Sequence, residues 1–137
     1  MKNLLTATAV IEASTGLVLV VLPSLLVTLL LGSSLGTAAA STLARVAGVA
    51  LLALAVACWS ARLEDARSRA VRGLVGAMVL YNAGVASVLA YAGAGMALPG
   101  TGLWPTVALH VAMTFWCLMR RPNGPQNLQV AAGEPRS

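Results

Sequence analysis

Four polar side chains stand inside otherwise apolar stretches of this sequence, and their types are those that bind ligands or exchange protons. Glu12 lies in TATAVIEASTGLVLVVL and Arg45 in STLARVAGVALLALAVACWS, while Asn82 and His110 lie in the two later apolar stretches. A carboxylate within a lipid bilayer is costly and normally faces a partner or a cavity. We therefore predict that these side chains turn toward one another inside a bundle of helices.

Depth along each stretch refines this prediction. At a rise of about 1.5 Å per residue, Glu12 and Asn82 lie near mid-bilayer, whereas Arg45 and His110 lie nearer the outer surface. Extended side chains can cover most of that difference, so we predict an intramembrane cluster of Glu12, Arg45, Tyr81, Asn82 and His110. Two roles are open for an ion pair of Glu12 with Arg45. It could be a clamp that specifies which helices associate, or it could form part of a ligand or proton site.

Catalytic and metal chemistry find little support in these residue types. The chain has one histidine, and His110 with a single intramembrane carboxylate cannot build a nucleophile–base–orienter triad. A haem would need a second axial ligand on an opposing helix, whereas Met113 lies on the same helix as His110. Cys58 and Cys117 form no CxxC motif, and we expect them to pack as reduced thiols. The sequence thus leans away from an enzyme and predicts no cofactor and no metal.

The composition indicates which elements position these residues. Of the 137 residues, 58% are hydrophobic and 9% are charged, against about 25% charged in a soluble domain. A soluble chain of this length cannot bury so much apolar surface, whereas stretches of about 20 apolar residues match the thickness of a bilayer. We predict an all-α, integral membrane four-helix bundle as one domain, residues 1–121, followed by a disordered cytoplasmic tail, residues 122–137.

The predicted spans cover approximately residues 3–22, 40–60, 71–92 and 105–119. Pro23 follows the first span, and proline lacks a backbone N–H and favours the first turn of a helix. We therefore predict a short interfacial helix over residues 23–31. The alternative is one long, bent helix that includes this segment.

The charges indicate the orientation of the protein. The net charge is +5, and every basic residue except Arg45 lies near an end of the chain or in the loop 61–72. The other two loops carry no charge, so the positive-inside rule places both termini in the cytoplasm of a multi-pass bacterial inner-membrane protein. Nucleic acid is not an expected partner, because the chain has no basic face with interleaved aromatic residues.

Small residues mark the surfaces at which helices can approach closely. The second predicted span contains Gly48, and the third contains Gly73, Gly76, Ala77 and Gly84. Small residues four apart let helix backbones come close together in a membrane. We predict that these positions pack helices together, either within the chain or in a homo-oligomer or larger membrane complex.

Two resemblances to known families arise from these segments. The general plan resembles small four-helix bacterial membrane protein families, which carry no assigned chemistry. The segments that carry this resemblance are the first apolar helix, PSLLVTLLLG and LARVAGVALLALA. AVIEASTG resembles the first helix of small multidrug resistance transporters, where an essential glutamate occupies the position of Glu12. The third-helix aromatic motif of those transporters is absent, since LVGAMVLYNAG offers only Tyr81.

These patterns favour a membrane protein without catalysis. It would act as an accessory or scaffolding subunit, or bind a small hydrophobic molecule between its helices. The alternative, implied by the second resemblance, is a proton-coupled small transporter that uses Glu12. The two differ in the behaviour of Glu12: a clamp with Arg45 keeps this carboxylate ionised, whereas coupling requires it to exchange protons.

Overall fold

Residues 1–121, which the computed structural model describes, form five α-helices and no strand. The helices are α1 (Lys2–Val21), α2 (Pro23–Leu31), α3 (Ala38–Ala61), α4 (Arg69–Ala94) and α5 (Leu103–Arg120). The predicted all-α class is confirmed. The tail that was predicted to be disordered, residues 122–137, lies outside the described residues.

Three of these helices, α1, α3 and α4, are long and apolar enough to cross a membrane. The fifth helix is 18 residues long, carries Trp104, Pro105, His110 and Arg120, and is not among these three. The membrane location predicted from composition is supported by these three helices.

The chain breaks between α1 and α2, which confirms two helices rather than one bent helix. Leu22 leaves the helical conformation, with φ −128° and ψ 57°, and Pro23 cannot donate the N–H that would continue α1. The break leaves carbonyl oxygens at the end of α1 without a partner from their own helix. One of them, Val20 O, accepts a hydrogen bond from Arg45 Nε at 3.1 Å.

The helices associate mainly as two pairs, α1 with α3 and α4 with α5. The pairs meet in a shared core at the end of the bundle that contains the 62–68 loop, and all four long helices contribute to it. The core consists of Leu4, Leu5, Ala9, Cys58, Val71, Val75, Met78, Met113 and Cys117.

Glycines determine how closely α1 and α3 approach. A Cβ atom added to Gly16 would lie 2.8 Å from Gly48 O, and one added to Gly48 would lie 2.8 Å from Gly16 O. Neither position can accept a side chain without a shift of the facing backbone. The structure therefore places Gly48, one of the predicted packing residues, at a backbone-to-backbone crossing.

The glycines of α4 do not make such contacts within the chain. A Cβ atom added to Gly73, Gly76 or Gly84 would meet nothing within 4 Å, and Ala77 is exposed. Within residues 1–121 these glycines therefore make no close helix contact, because α4 turns a different face, which includes Met78, into the core. The predicted packing of these residues against another chain stays a prediction.

The short helix α2 covers the end of the bundle opposite the 62–68 loop. It contacts α1, α3 and α5, and Leu29 O accepts a hydrogen bond from Gly102 N at 2.9 Å. Its last residue is followed by Gly32, whose φ of +67° is in the left-handed region that favours glycine. This helix and the 95–102 segment together close one end of the described fold.

Candidate functional site

A hydrogen bond between α1 and α4 forms the centre of the candidate site. Glu12 on α1 is only 3% exposed, and its Oε2 accepts a hydrogen bond from the Tyr81 hydroxyl on α4 at 3.1 Å. Its other oxygen, Oε1, makes no hydrogen bond within residues 1–121, and this atom keeps some accessible surface. This bond joins the α1–α3 pair to the α4–α5 pair.

His110 on α5 lies beside this bond and is held by Asn82 on α4. Asn82 Nδ2 donates to Met78 O at 2.8 Å, which turns the amide oxygen toward the imidazole. His110 Nδ1 lies 2.8 Å from that oxygen, Asn82 Oδ1. Because an amide oxygen can only accept, Nδ1 carries the proton of this bond, and Nε2 of the neutral ring carries the lone pair.

The Tyr81 and His110 rings complete the cluster. Their centroids lie 5.8 Å apart at an interplanar angle of 80°, which is the edge-to-face arrangement that aromatic rings prefer. Glu12, Tyr81, His110 and Asn82 therefore form one connected group from three helices. Four of the five residues predicted to form a polar cluster are brought together by the fold.

A cavity of about 110 Å³ lies next to this cluster. At roughly 30 Å³ per molecule of liquid water, it has room for about three or four water molecules. Its lining is Ile11, Glu12, Thr15, Leu26, Leu30, Tyr81, Thr106, Leu109 and His110. The polar lining residues lie on α1, α4 and α5. The short helix α2 contributes two apolar lining residues, Leu26 and Leu30.

Arg45 does not join the cluster, and the predicted ion pair with Glu12 is not formed. Its Nε donates to Val20 O at 3.1 Å and its Nη1 donates to Ser41 Oγ at 3.0 Å. The physical reason is the helix break at Pro23, which offers a carbonyl oxygen at the end of α1. A cation at that end also interacts favourably with the helix dipole.

Several residues of the cavity were not predicted as part of the site. Thr15 and Thr106 lie on the polar faces of their helices, so their spacing from Glu12 and His110 was the available signal. Leu26 and Leu30 carried no signal, because leucine is common in any apolar helix. One turn before Glu12, Thr8 is also buried, and its Oγ1 has no hydrogen-bond partner in the described part of the chain.

The two cysteines lie elsewhere, in the core at the other end of the bundle. Both are fully buried, and Cys58 Sγ donates to Met78 Sδ at 3.9 Å. Within residues 1–121, no group of three or more histidine, cysteine, aspartate or glutamate side chains is arranged to hold a metal ion.

A second hollow is an open, apolar groove of about 390 Å³ on the outer side of the α1–α3 pair. Its lining includes Val10, Val56 and Trp59, which are all exposed. Such a surface suits contact with lipid acyl chains and offers no polar group that would select a ligand.

The fold and the site together define a class: a helical protein with membrane-length helices and a polar cavity between them. Comparison with protein-family models, curated proteins and solved structures finds no match to this chain. Its function is therefore inferred from the chemistry of the cavity.

Proposed function

We propose that this chain is a four-span bacterial inner-membrane protein that binds a small molecule in the cavity between α1, α2, α4 and α5. The observation that carries the proposal is the position of Glu12. Its carboxylate is buried, lines the cavity, and leaves Oε1 without a donor among residues 1–121. Because a buried charge needs a partner, such a group favours binding of a guest over clamping of helices.

The fourth span in this proposal is α5. It packs along α4 and buries His110, Met113 and Cys117, while Phe115 and Leu118 on its other side are exposed. A helix that is apolar on its outer surface and lies beside a membrane-length neighbour is suited to cross with it. Four crossings would leave the 62–68 loop on the same side as both termini.

The charged end of the bundle supports a cytoplasmic position for that loop. Arg62 stacks over the Trp59 ring at 3.5 Å from its centroid and also donates to Trp59 O. Tryptophan and arginine at the end of an apolar helix are typical of a membrane–water interface. With the positive-inside rule, this orientation puts the N- and C-termini in the cytoplasm.

An accessory or scaffolding role is the other non-catalytic function that suits this chain. It would use the outward-facing small residues of α4 to contact a second copy or a partner in a larger membrane complex. Such a role does not require a cavity lined by a buried carboxylate. We therefore place ligand binding first, and we propose no reaction.

The test is identification of the small molecules that co-purify with the protein in a mild detergent. Thr15→Phe would fill the cavity, and Leu17→Phe is the matched control on the exposed side of the same helix. We expect a molecule that wild type and Leu17→Phe retain and that a folded Thr15→Phe variant loses. Equal retention by a folded Thr15→Phe variant would contradict binding in this cavity.

Proton-coupled transport through the same cavity is a second candidate function. It is favoured by the position of Arg45, which is engaged at the end of α1 and leaves Glu12 free to exchange protons. Infrared difference spectroscopy from about pH 5 to about pH 9, with Glu12→Gln as the control, tests it. A carboxyl band that depends on Glu12 and titrates in this pH window supports proton-coupled transport. Absence of such a band would favour ligand binding without proton coupling.

A further inference from the structure

We infer that the guest of this cavity is a small primary alkylammonium ion, with its ammonium group on Glu12 and His110 and its alkyl part against the leucines of α2. The inference rests on the proposed function, ligand binding in the cavity, and adds the chemical class of the ligand. It is carried by the hydrogen-bonding capacity, the charge and the size of the cavity.

The polar atoms that remain free in the cavity wall are mainly acceptors. The Tyr81 hydroxyl donates its hydrogen to Glu12 Oε2, and the Thr106 hydroxyl donates to Gly102 O at 2.7 Å. The His110 Nδ1 proton is directed at Asn82 Oδ1. Glu12 Oε1 and His110 Nε2 then have lone pairs and no protein donor among the described residues.

This pattern selects a guest by its number of donors. A carboxylate or phosphate would meet lone pairs and a like charge, so the cavity disfavours anions. A neutral alcohol supplies one donor and would leave an acceptor unsatisfied, which is costly in a buried site. An ammonium group supplies three donors and no acceptor, which suits Glu12 Oε1, His110 Nε2 and the Thr15 hydroxyl.

The charge of the cavity points to the same class. Within residues 1–121, Glu12 forms no ion pair, because Arg45 is bonded to Val20 O and Ser41 Oγ. An ionised carboxylate away from water is unfavourable unless a cation compensates it. A cationic guest supplies that compensation, and the Tyr81 ring next to Glu12 adds an aromatic surface that attracts cations.

The size and the apolar lining restrict the cation to a small organic one. The cavity of about 110 Å³ has apolar walls formed by Ile11, Leu26, Leu30 and Leu109. A volume of roughly three or four water molecules accommodates about four heavy atoms, as in propylammonium. Calcium and magnesium ions prefer a full shell of oxygen ligands, whereas this wall offers one carboxylate and three hydroxyl groups beside an imidazole and apolar side chains.

The experiment measures thermal unfolding and calorimetric binding for the full chain in lipid nanodiscs against a matched series of guests. The series is propylammonium, neutral 1-propanol, anionic propionate and bulky tetrapropylammonium. We expect saturable stabilisation and heat of binding with propylammonium alone. Glu12→Gln should weaken its binding by about tenfold or more, since a hydrogen bond to a charged group is lost. Glu64→Gln, the same change at an exposed carboxylate of the 62–68 loop, should bind like wild type.

The outcomes separate this inference from the proposed function. Equal binding of 1-propanol and propylammonium, or undiminished binding by a folded Glu12→Gln variant, would overturn the cation while leaving a cavity ligand in place. Equal retention of the co-purified molecule by wild type and a folded Thr15→Phe variant would instead remove the proposed function. If Glu12→Gln fails to fold, Thr15→Val, which removes the Thr15 hydroxyl, is measured in its place. Weaker binding of propylammonium by this variant supports the inference, and unchanged binding overturns it.

Discussion

The Tyr81 hydroxyl donates to Glu12 Oε2 at 3.1 Å, across a boundary between two helix pairs that otherwise meet mainly through apolar side chains. The bond fixes one oxygen of a carboxylate whose side chain also lines the cavity. It is thus both a structural link between α1 and α4 and the feature that orients the proposed binding group.

This link predicts energetic coupling between the two residues. Tyr81→Phe and Glu12→Ala should each lower the free energy of unfolding, and the double variant should lose less than the sum of the two, because each change removes one side of the same hydrogen bond. A coupling of about 1–2 kcal/mol is expected for a buried hydrogen bond to a carboxyl group. Unfolding of the four proteins in mixed micelles measures it. Strict additivity would mean that the bond does not form.

Arg45 is expected to act independently of Glu12. Arg45→Gln removes a cation and a donor from the end of α1 and should destabilise the protein by about 1 kcal/mol. Combined with Glu12→Gln, the two effects should add, because the residues have no shared partner. The same unfolding assay measures this. A large coupling energy would indicate that Glu12 and Arg45 form an ion pair.

The glycine crossing predicts opposite effects for the same substitution at different positions. Gly16→Ala and Gly48→Ala should each destabilise the protein by about 1–3 kcal/mol, because a methyl group would overpack the backbone contact between α1 and α3.

Gly73→Ala and Gly84→Ala are the matched controls, since an added Cβ meets nothing within 4 Å there. Alanine favours a helix over glycine by up to about 1 kcal/mol, so these variants should be neutral or more stable in unfolding experiments. Destabilisation at Gly73 or Gly84 that depends on protein concentration would point to a contact with another chain.

The topology in the proposed function can be measured with reporter fusions. Fusions in the 62–68 loop and at the C-terminus should report the cytoplasm, and fusions in segments 33–36 and 96–101 should report the opposite side. A cytoplasmic signal from segment 96–101 would show that α5 does not cross. Signals of both kinds from one site would indicate that the protein inserts in two orientations.

The sequence by itself determined the helical class and the polar faces on which Glu12 and His110 lie, and it predicted a short helix at Pro23 while one bent helix stayed open. These features depend on local properties: hydropathy, the helical period of 3.6 residues and the missing N–H of proline. Each can be read from neighbouring residues without knowledge of the rest of the chain.

The tertiary structure decided which polar groups meet. Glu12 and Arg45 have opposite charges on adjacent helices, yet Arg45 bonds to Val20 O and Glu12 to Tyr81. The glycines of α4 resemble packing residues in sequence, but they face outward, whereas Gly48 meets Gly16. Partner choice depends on the rotation and offset of whole helices, and a change of a few ångströms exchanges one hydrogen bond for another. Those offsets arise from packing between segments far apart in the chain, so the sequence pattern could not determine the cavity.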